Sequence, residues 1–245
     1  MDKRRKYFLV VDVETANSTE QALTYDIGFS VCDKQGKVYE SRSYAISDIF
    51  FDEKKIFNNS ELMNTAYYAK KLPQYYEGMR SGAWKVSPLL LVRKEIHELM
   101  KEYNITIVCA YNCNFDKTAL NTTLRYITKS SFRWFFPYGT EFYCIWNMAC
   151  QTICKQKGYQ RFCLKNNLYS ASNNVKTSAE TVWAYLTQQP QFQEKHTGLE
   201  DVKIEVEIMA HCFRQHKKMD KGINRLCWRT PQNDFKKLLA ENINN

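Results

Sequence analysis

The sequence predicts an α/β fold: a mixed sheet, an antiparallel hairpin joined by parallel strands, flanked by helices and carrying insertions. Two observations predict it. Strands come first, as a hairpin, and helices then alternate with further short apolar runs. The opening run, Tyr7-Phe8-Leu9-Val10-Val11-Asp12-Val13, is almost unbroken in apolar residues, as a central strand covered on both faces must be.

The elements follow in order. Residues 27–32 read as a second strand, Asp33-Lys34-Gln35-Gly36-Lys37 as a turn, and Val38–Ile46 as the return strand of the hairpin. From residue 47 to 87 the pattern loosens. There Tyr67, Tyr68, Tyr75, Tyr76 and Trp84 are interleaved with Lys54, Lys55, Lys70, Lys71, Arg80 and Lys85. Such a mixture suits either a stacking wall for single strands or a set of core rings. Ser87 as N-cap and Pro88 as first helical residue open a helix reaching about residue 103. Residues 105–110 form a buried strand, Asn112-Cys113-Asn114 a loop, and residues 115–128 a helix.

The aromatic stretch 132–146 reads as loop and strand, with Asn147 capping a helix to about residue 157 and a polar, loop-like stretch over 158–175. Thr177-Ser178-Ala179-Glu180 is a capping box for a helix that stops before Pro190, and Thr197-Gly198-Leu199-Glu200 is a second one. The helix after it buries Val202, Val206, Met209, Ala210 and Phe213, spaced along one face. Residues 218–245 read as a basic tail with one more helix.

Composition narrows the function classes. Lys and Arg number 35 against 26 Asp and Glu, a balance of +9, which suits a polyanionic partner or plain solubility. Nine cysteines, several inside apolar runs, with no secretory leader expected, point to a reducing, cytoplasmic setting. Cys150 and Cys154 could share a metal with Cys144 or Cys163, but no paired C-x-x-C knuckle is present. No apolar run approaches the ~20 residues of a membrane span.

Four acids and a histidine stand out. Asp12 and Glu14, two apart on a strand, point to the same face, where two carboxylates repel unless a cation neutralises them. If the strand ended near Asp12, both would simply be solvated. Asp116 sits in the first turn of a helix that follows a buried strand, a place favoured by the helix dipole alone and also where α/β sheets put their sites. His196 and Asp201 form H-x-x-x-x-D across a helix start, a titratable loop residue ahead of an acid fixed one turn into the helix.

In this order, the residues resemble a known family. Val11-Asp12-Val13-Glu14-Thr15 is similar to the first motif of the DnaQ-like exonucleases, and Tyr25-Asp26-Ile27-Gly28 to the stretch that follows it. The run from Cys109 through Tyr111, Asn112 and Phe115 to Asp116 resembles the second motif, A-H-N-x-x-F-D, with Tyr111 in place of His. His196-Thr197-Gly198-Leu199-Glu200-Asp201 matches the third motif in the form that gives the DEDDh subclass its h. Asn17 stands where many members carry Gly, and residues 47–87, 129–190 and the tail lie outside the resemblance.

The resemblance implies an RNase H-like fold with a catalytic domain over residues 1–217. It implies 3′→5′ hydrolysis of terminal phosphodiesters of DNA or RNA, single strands favoured. Two Mg²⁺ or Mn²⁺ ions would be involved: Asp12 shared between them, Glu14 and Asp201 completing one, Asp116 holding the second. His196 would be the general base. Thr15, Asn112 and Phe115 would position the terminal nucleotide. The partner would be a nucleic acid 3′ end, with a polymerase or another replication or repair protein as a further partner, and no membrane. Two rival readings are a binding module on the same fold that has lost catalysis, and an aromatic, basic nucleic-acid-binding protein unrelated to nucleases. The second would account for the charge but not for the ordered acids.

Overall fold

The computed structural model describes residues 5–51 and 61–243. A six-stranded sheet in the order β4-β3-β2-β1-β5-β6 forms its centre. The strands are β1 (Tyr7–Ala16), β2 (Leu23–Asp33), β3 (Val38–Ile46), β4 (Val86–Ser87), β5 (Ile107–Ala110) and β6 (Glu141–Cys144). β1, β2 and β3 run antiparallel; β5 and β6 extend the sheet in parallel from β1, and β4 lies parallel to β3. The expected mixed sheet is therefore present. β1 runs on to Ala16, so Asp12 and Glu14 both lie inside the strand and not beyond its end.

Nine helices are described: α1 (Ser47–Phe50), α2 (Leu72–Ser81), α3 (Leu89–Glu102), α4 (Cys113–Thr128), α5 (Ile145–Thr152), α6 (Lys157–Lys165), α7 (Ala179–Leu186), α8 (Gly198–Arg214) and α9 (Gln232–Ile243). The strand period of two divides β1 between two cores. Leu9, Val11 and Val13 join residues of α3 and α4 on one face. Phe8 and Val10 join α5, α7 and α8 on the other. Asp12 and Glu14 continue the parity of Phe8 and Val10, which is the α8 side.

Several helix starts differ from expectation. Ser87 belongs to β4, and Pro88 takes the N-cap position of α3 without a side-chain cap. The free Leu89 N–H is instead satisfied at 2.7 Å by the Asp48 carboxylate from α1. α4 begins at Cys113, because Asn112 adopts a left-handed conformation (φ 64°) that sequence reasoning takes for loop. Asn147 is buried inside α5 and does not cap it; its amide bonds the Gly222 carbonyl at 3.0 Å. Part of the polar 158–175 stretch is α6, which buries Tyr159, Gln160 and Cys163. Ser178, not Thr177, caps α7, and the Glu180 carboxylate accepts the N–H of Glu194 instead. Beyond residue 218, α9 places Phe235 in the second core.

One contact fixes α8 against the sheet. A Cβ on Gly28 would meet the Gly198 carbonyl carbon at 2.1 Å, and one on Gly198 would meet the Gly28 nitrogen at 2.5 Å. The helix start thus lies directly on the β1–β2 backbone, an approach only two glycines allow. Buried Asp26 locks it there: it accepts the Gly198 N–H at 2.8 Å and the Tyr75 hydroxyl of α2 at 2.6 Å. Gly28→Ala is expected to destabilise the fold by about 3 kcal/mol or more, since backbone and not a flexible side chain must yield. Urea unfolding of the variant checks this; a loss below about 1 kcal/mol would mean that α8 can shift freely.

Candidate active site

Where β1 leaves β5, its outer half opens a cavity of about 530 Å³. Parallel pairing between the two strands covers only Leu9–Val10 and Val108–Cys109. Beyond it the Val13 N–H has no strand partner on that side, and the Asp116 carboxylate accepts it. Asp116 is thereby held against the first strand from the first turn of α4. Asp201, in the first turn of α8, accepts the backbone N–H groups of His196 and Thr197. The acid and the loop that carries the histidine are thus tied together.

The structure brings the four acids, the histidine and the three expected substrate-positioning residues to this one cavity. Asp12, Glu14, Asp116, His196 and Asp201 line it, as do Thr15, Asn112 and Phe115. Their grouping is uneven. Ligand atoms of Glu14, His196 and Asp201 lie within 4.8 Å of one another, a spacing that could hold a metal ion. Asp12 and Asp116 do not enter a group that tight. A second such group, Glu180, Glu194 and His196, adjoins the first. The metal-holding groups among the described residues contain no cysteine, and all nine cysteines are free and buried.

The insert supplies one wall. The Tyr67 N–H donates to the Thr15 carbonyl at 3.0 Å, pinning the insert to the end of β1. The Tyr68 ring lies flat on the His196 imidazole, with centroids 3.8 Å apart and planes 10° apart. His196 itself has φ 54°, an uncommon conformation for a residue with a Cβ. The other insert rings divide: Tyr75 is fully buried, Tyr76 and Trp84 pack on the core, and Tyr67 is exposed. Lys54 and Lys55 lie outside the described residues. Tyr111, where the motif pattern has His, sends its hydroxyl to the Thr177 carbonyl at 2.6 Å. Asn17 has φ 71°, which explains why glycine would serve as well there.

Among the acids of the cavity, sequence reasoning missed Glu194 and Glu205, and it named Tyr68 only as one of several insert rings. Only Glu205 left a signal, as an acid one turn after Asp201 on the helix face otherwise read as apolar.

Negative charge dominates the cavity. Six acids line it, with no Lys or Arg among the lining residues. Burial first, and neighbouring acids second, push Asp12 well up and Glu14 up to about 9. Burial pushes Asp116 and Asp201 up to about 7. Asp201 Oδ1 and Glu205 Oε2 are buried without a hydrogen-bond partner. Carboxylate oxygens, orphaned and crowded, are the donor set that a hard divalent cation takes.

These shifts have a sign. A carboxyl whose pKa is raised on folding contributes stability that is full below its unfolded value and lost as pH rises through its folded value. For Asp116 and Asp201 the loss runs from about 4 to about 7, and for Glu14 on to about 9. In chelator, Tm is therefore expected to fall between about pH 5 and pH 8, and Mg²⁺ or Mn²⁺ to restore it at the upper end. A Tm that rises over that range in chelator would contradict the electrostatics described here.

Comparison with solved structures identifies the architecture. Exonuclease I of E. coli in complex with a 5cy-dT13 oligonucleotide aligns over 96% of this chain and 45% of its own, at 14% identity and a TM-score of 0.51. A product-bound exonuclease I structure aligns over 96% and 48%, also at 14% and 0.51. Exonuclease I in complex with the inhibitor BCBP aligns over 84% and 41%, at 13% and 0.51. The fold is RNase H-like. The chain spans less than half the length of the exonuclease I chains it matches. No protein-family model matches the sequence, and no curated protein does. Among the described residues, no helix is long and apolar enough to cross a membrane.

Proposed function

We propose that the chain is a divalent-cation-dependent 3′→5′ exonuclease of the DEDDh type, acting on terminal phosphodiesters of single-stranded DNA or RNA. The observation that carries this reading is the convergence of Glu14, His196 and Asp201 within 4.8 Å, from the first strand, the loop ahead of the eighth helix and that helix itself, on a cavity that Asp12 and Asp116 also line. The donor set fits Mg²⁺ or Mn²⁺. Asp12, Glu14 and Asp201 would hold one ion, and Asp12 and Asp116 the second. When bound, such a pair stabilises the charge on the attacking and leaving oxygens of an in-line displacement.

The chain's own residues do the rest. Burial lowers the His196 pKa, so the imidazole is neutral at physiological pH and free to accept a proton from the attacking water at a ring nitrogen. Tyr68 holds the ring in one plane while the Asp201 carboxylate fixes the backbone beneath it. Thr15, Asn112 and Phe115 face the same cavity and are suited to position the terminal nucleotide. Tyr67, Tyr68 and Trp146 line it with aromatic faces on which a base can stack. The likeness in fold to exonuclease I, solved with an oligonucleotide, supports a single-stranded substrate.

The test is a panel of 5′-labelled single- and double-stranded DNA and RNA with Mg²⁺, Mn²⁺ or chelator. A ladder shortening from the 3′ end, lost in chelator, is the expected result. A panel with no shortening under any metal would leave a binding module on this fold.

A further inference from the structure

Helix α8 carries two acids one turn apart, Asp201 and Glu205, on the side facing β1. Glu205 is only 3% exposed and lines the cavity together with Asp12 and Asp116. One of its oxygens accepts the Tyr111 N–H at the end of β5. The other, Oε2, is buried without a hydrogen-bond partner. The charge acting on it most strongly is that of Asp116, and no neighbouring charge acts on Asp12 more strongly than its own.

A merely structural role does not account for this side chain. The Tyr111 N–H needs one acceptor, which a glutamine carbonyl would supply without charge. The other neighbours of Glu205 one turn away on the helix, Val202, Ile208 and Met209, are buried and apolar, and Asp12 and Asp116 line the cavity with it. An unpaired carboxylate in such surroundings is strongly unfavourable unless a cation meets it. Glu205 belongs to neither tight group, nor do Asp12, Asp116 and Glu205 form one of their own; the charges acting on it are Asp116 first, then Asp201 and Glu194, and it is itself the first of those acting on Asp12.

We infer that Glu205 is a fifth carboxylate of the cation centre, serving the ion at the Asp12–Asp116 end. The inference rests on the cation-centre reading above. Sites poor in protein carboxylates complete the shell of Mg²⁺ with substrate phosphate oxygens. A fifth acid here lets the second ion bind before nucleic acid arrives.

Calorimetric titration of the full chain with Mn²⁺, without nucleic acid, tests it. Wild type is expected to bind two ions. Glu205→Gln keeps the Tyr111 bond and should weaken one ion by roughly 10–100-fold, leaving the other unchanged. Its Tm in chelator should match or exceed that of wild type, with a smaller rise at saturating Mn²⁺. Two unchanged affinities in Glu205→Gln would overturn the inference and leave the proposed function intact. A wild type that binds no Mn²⁺ would overturn both. If Glu205→Gln fails to fold, Glu205→Asp decides: it retains the charge but withdraws the oxygen, and unchanged binding of both ions overturns the inference.

Discussion

Asp12→Asn is expected to abolish hydrolysis while leaving the fold in place. The substitution is nearly isosteric, and the β1 backbone keeps its pairing with Gly28 of β2. What it removes is a carboxylate that lines the cavity, the one ligand the proposed centre would share between both ions. Lewis-acid stabilisation of this kind is worth several kcal/mol, so the rate should fall by roughly 10³-fold or more. Mn²⁺ binding should weaken in parallel. Stability in chelator should hold or improve, because burial and four neighbouring acids disfavour the charged Asp12 in the metal-free protein. Near-normal turnover in this variant would remove the basis of the assignment.

His196→Ala should act differently. Ion and strand binding should remain close to wild type, and the rate should drop by roughly 10²–10⁴, the usual worth of a positioned general base. His196→Asn is the better control for the backbone, since asparagine tolerates the positive φ found here. Because burial lowers the imidazole pKa, the wild-type acidic limb should lie below that of an ordinary histidine, and it should change in both variants. A linear strand with a free 3′ hydroxyl should be shortened, and a closed circle of the same sequence should survive. If the circle is cut as fast, the enzyme is an endonuclease on this fold. If His196→Ala is fully active while Asp12→Asn is dead, the ions stand but the DEDDh subclass does not.

What was legible in the sequence was local. β1 and β3 announce themselves because an unbroken apolar run and a hairpin return need only their own residues. α8 does so because its apolar face repeats at the helical period. The misreadings have local and tertiary causes. Asn112 adopts a left-handed conformation and still begins a helix, so loop chemistry and helix start coincide. Leu89 takes its cap from Asp48, far away in the chain, which a search for local caps cannot find. α6 looks polar because it buries one side only, through Tyr159, Gln160 and Cys163. At the site, the motif acids could be named from spacing. Tyr68 could not be separated from its neighbouring tyrosines, because only the fold decides that Tyr75 goes to Asp26 and Tyr68 to His196.

The seating of Gly198 on Gly28 joins the two ends of this arrangement. Asp12, Glu14 and Asp116 are made early in the chain, His196 and Asp201 late, and that glycine contact, with the Asp26 bond and the packing of α8 on the sheet, brings the halves into register. An unfinished polypeptide that stops short of residue 196 therefore carries Asp12, Glu14 and Asp116 without His196 and Asp201. On the proposed reading such a chain would lack the complete cation centre, and the capacity to cut would arrive with closure of the domain.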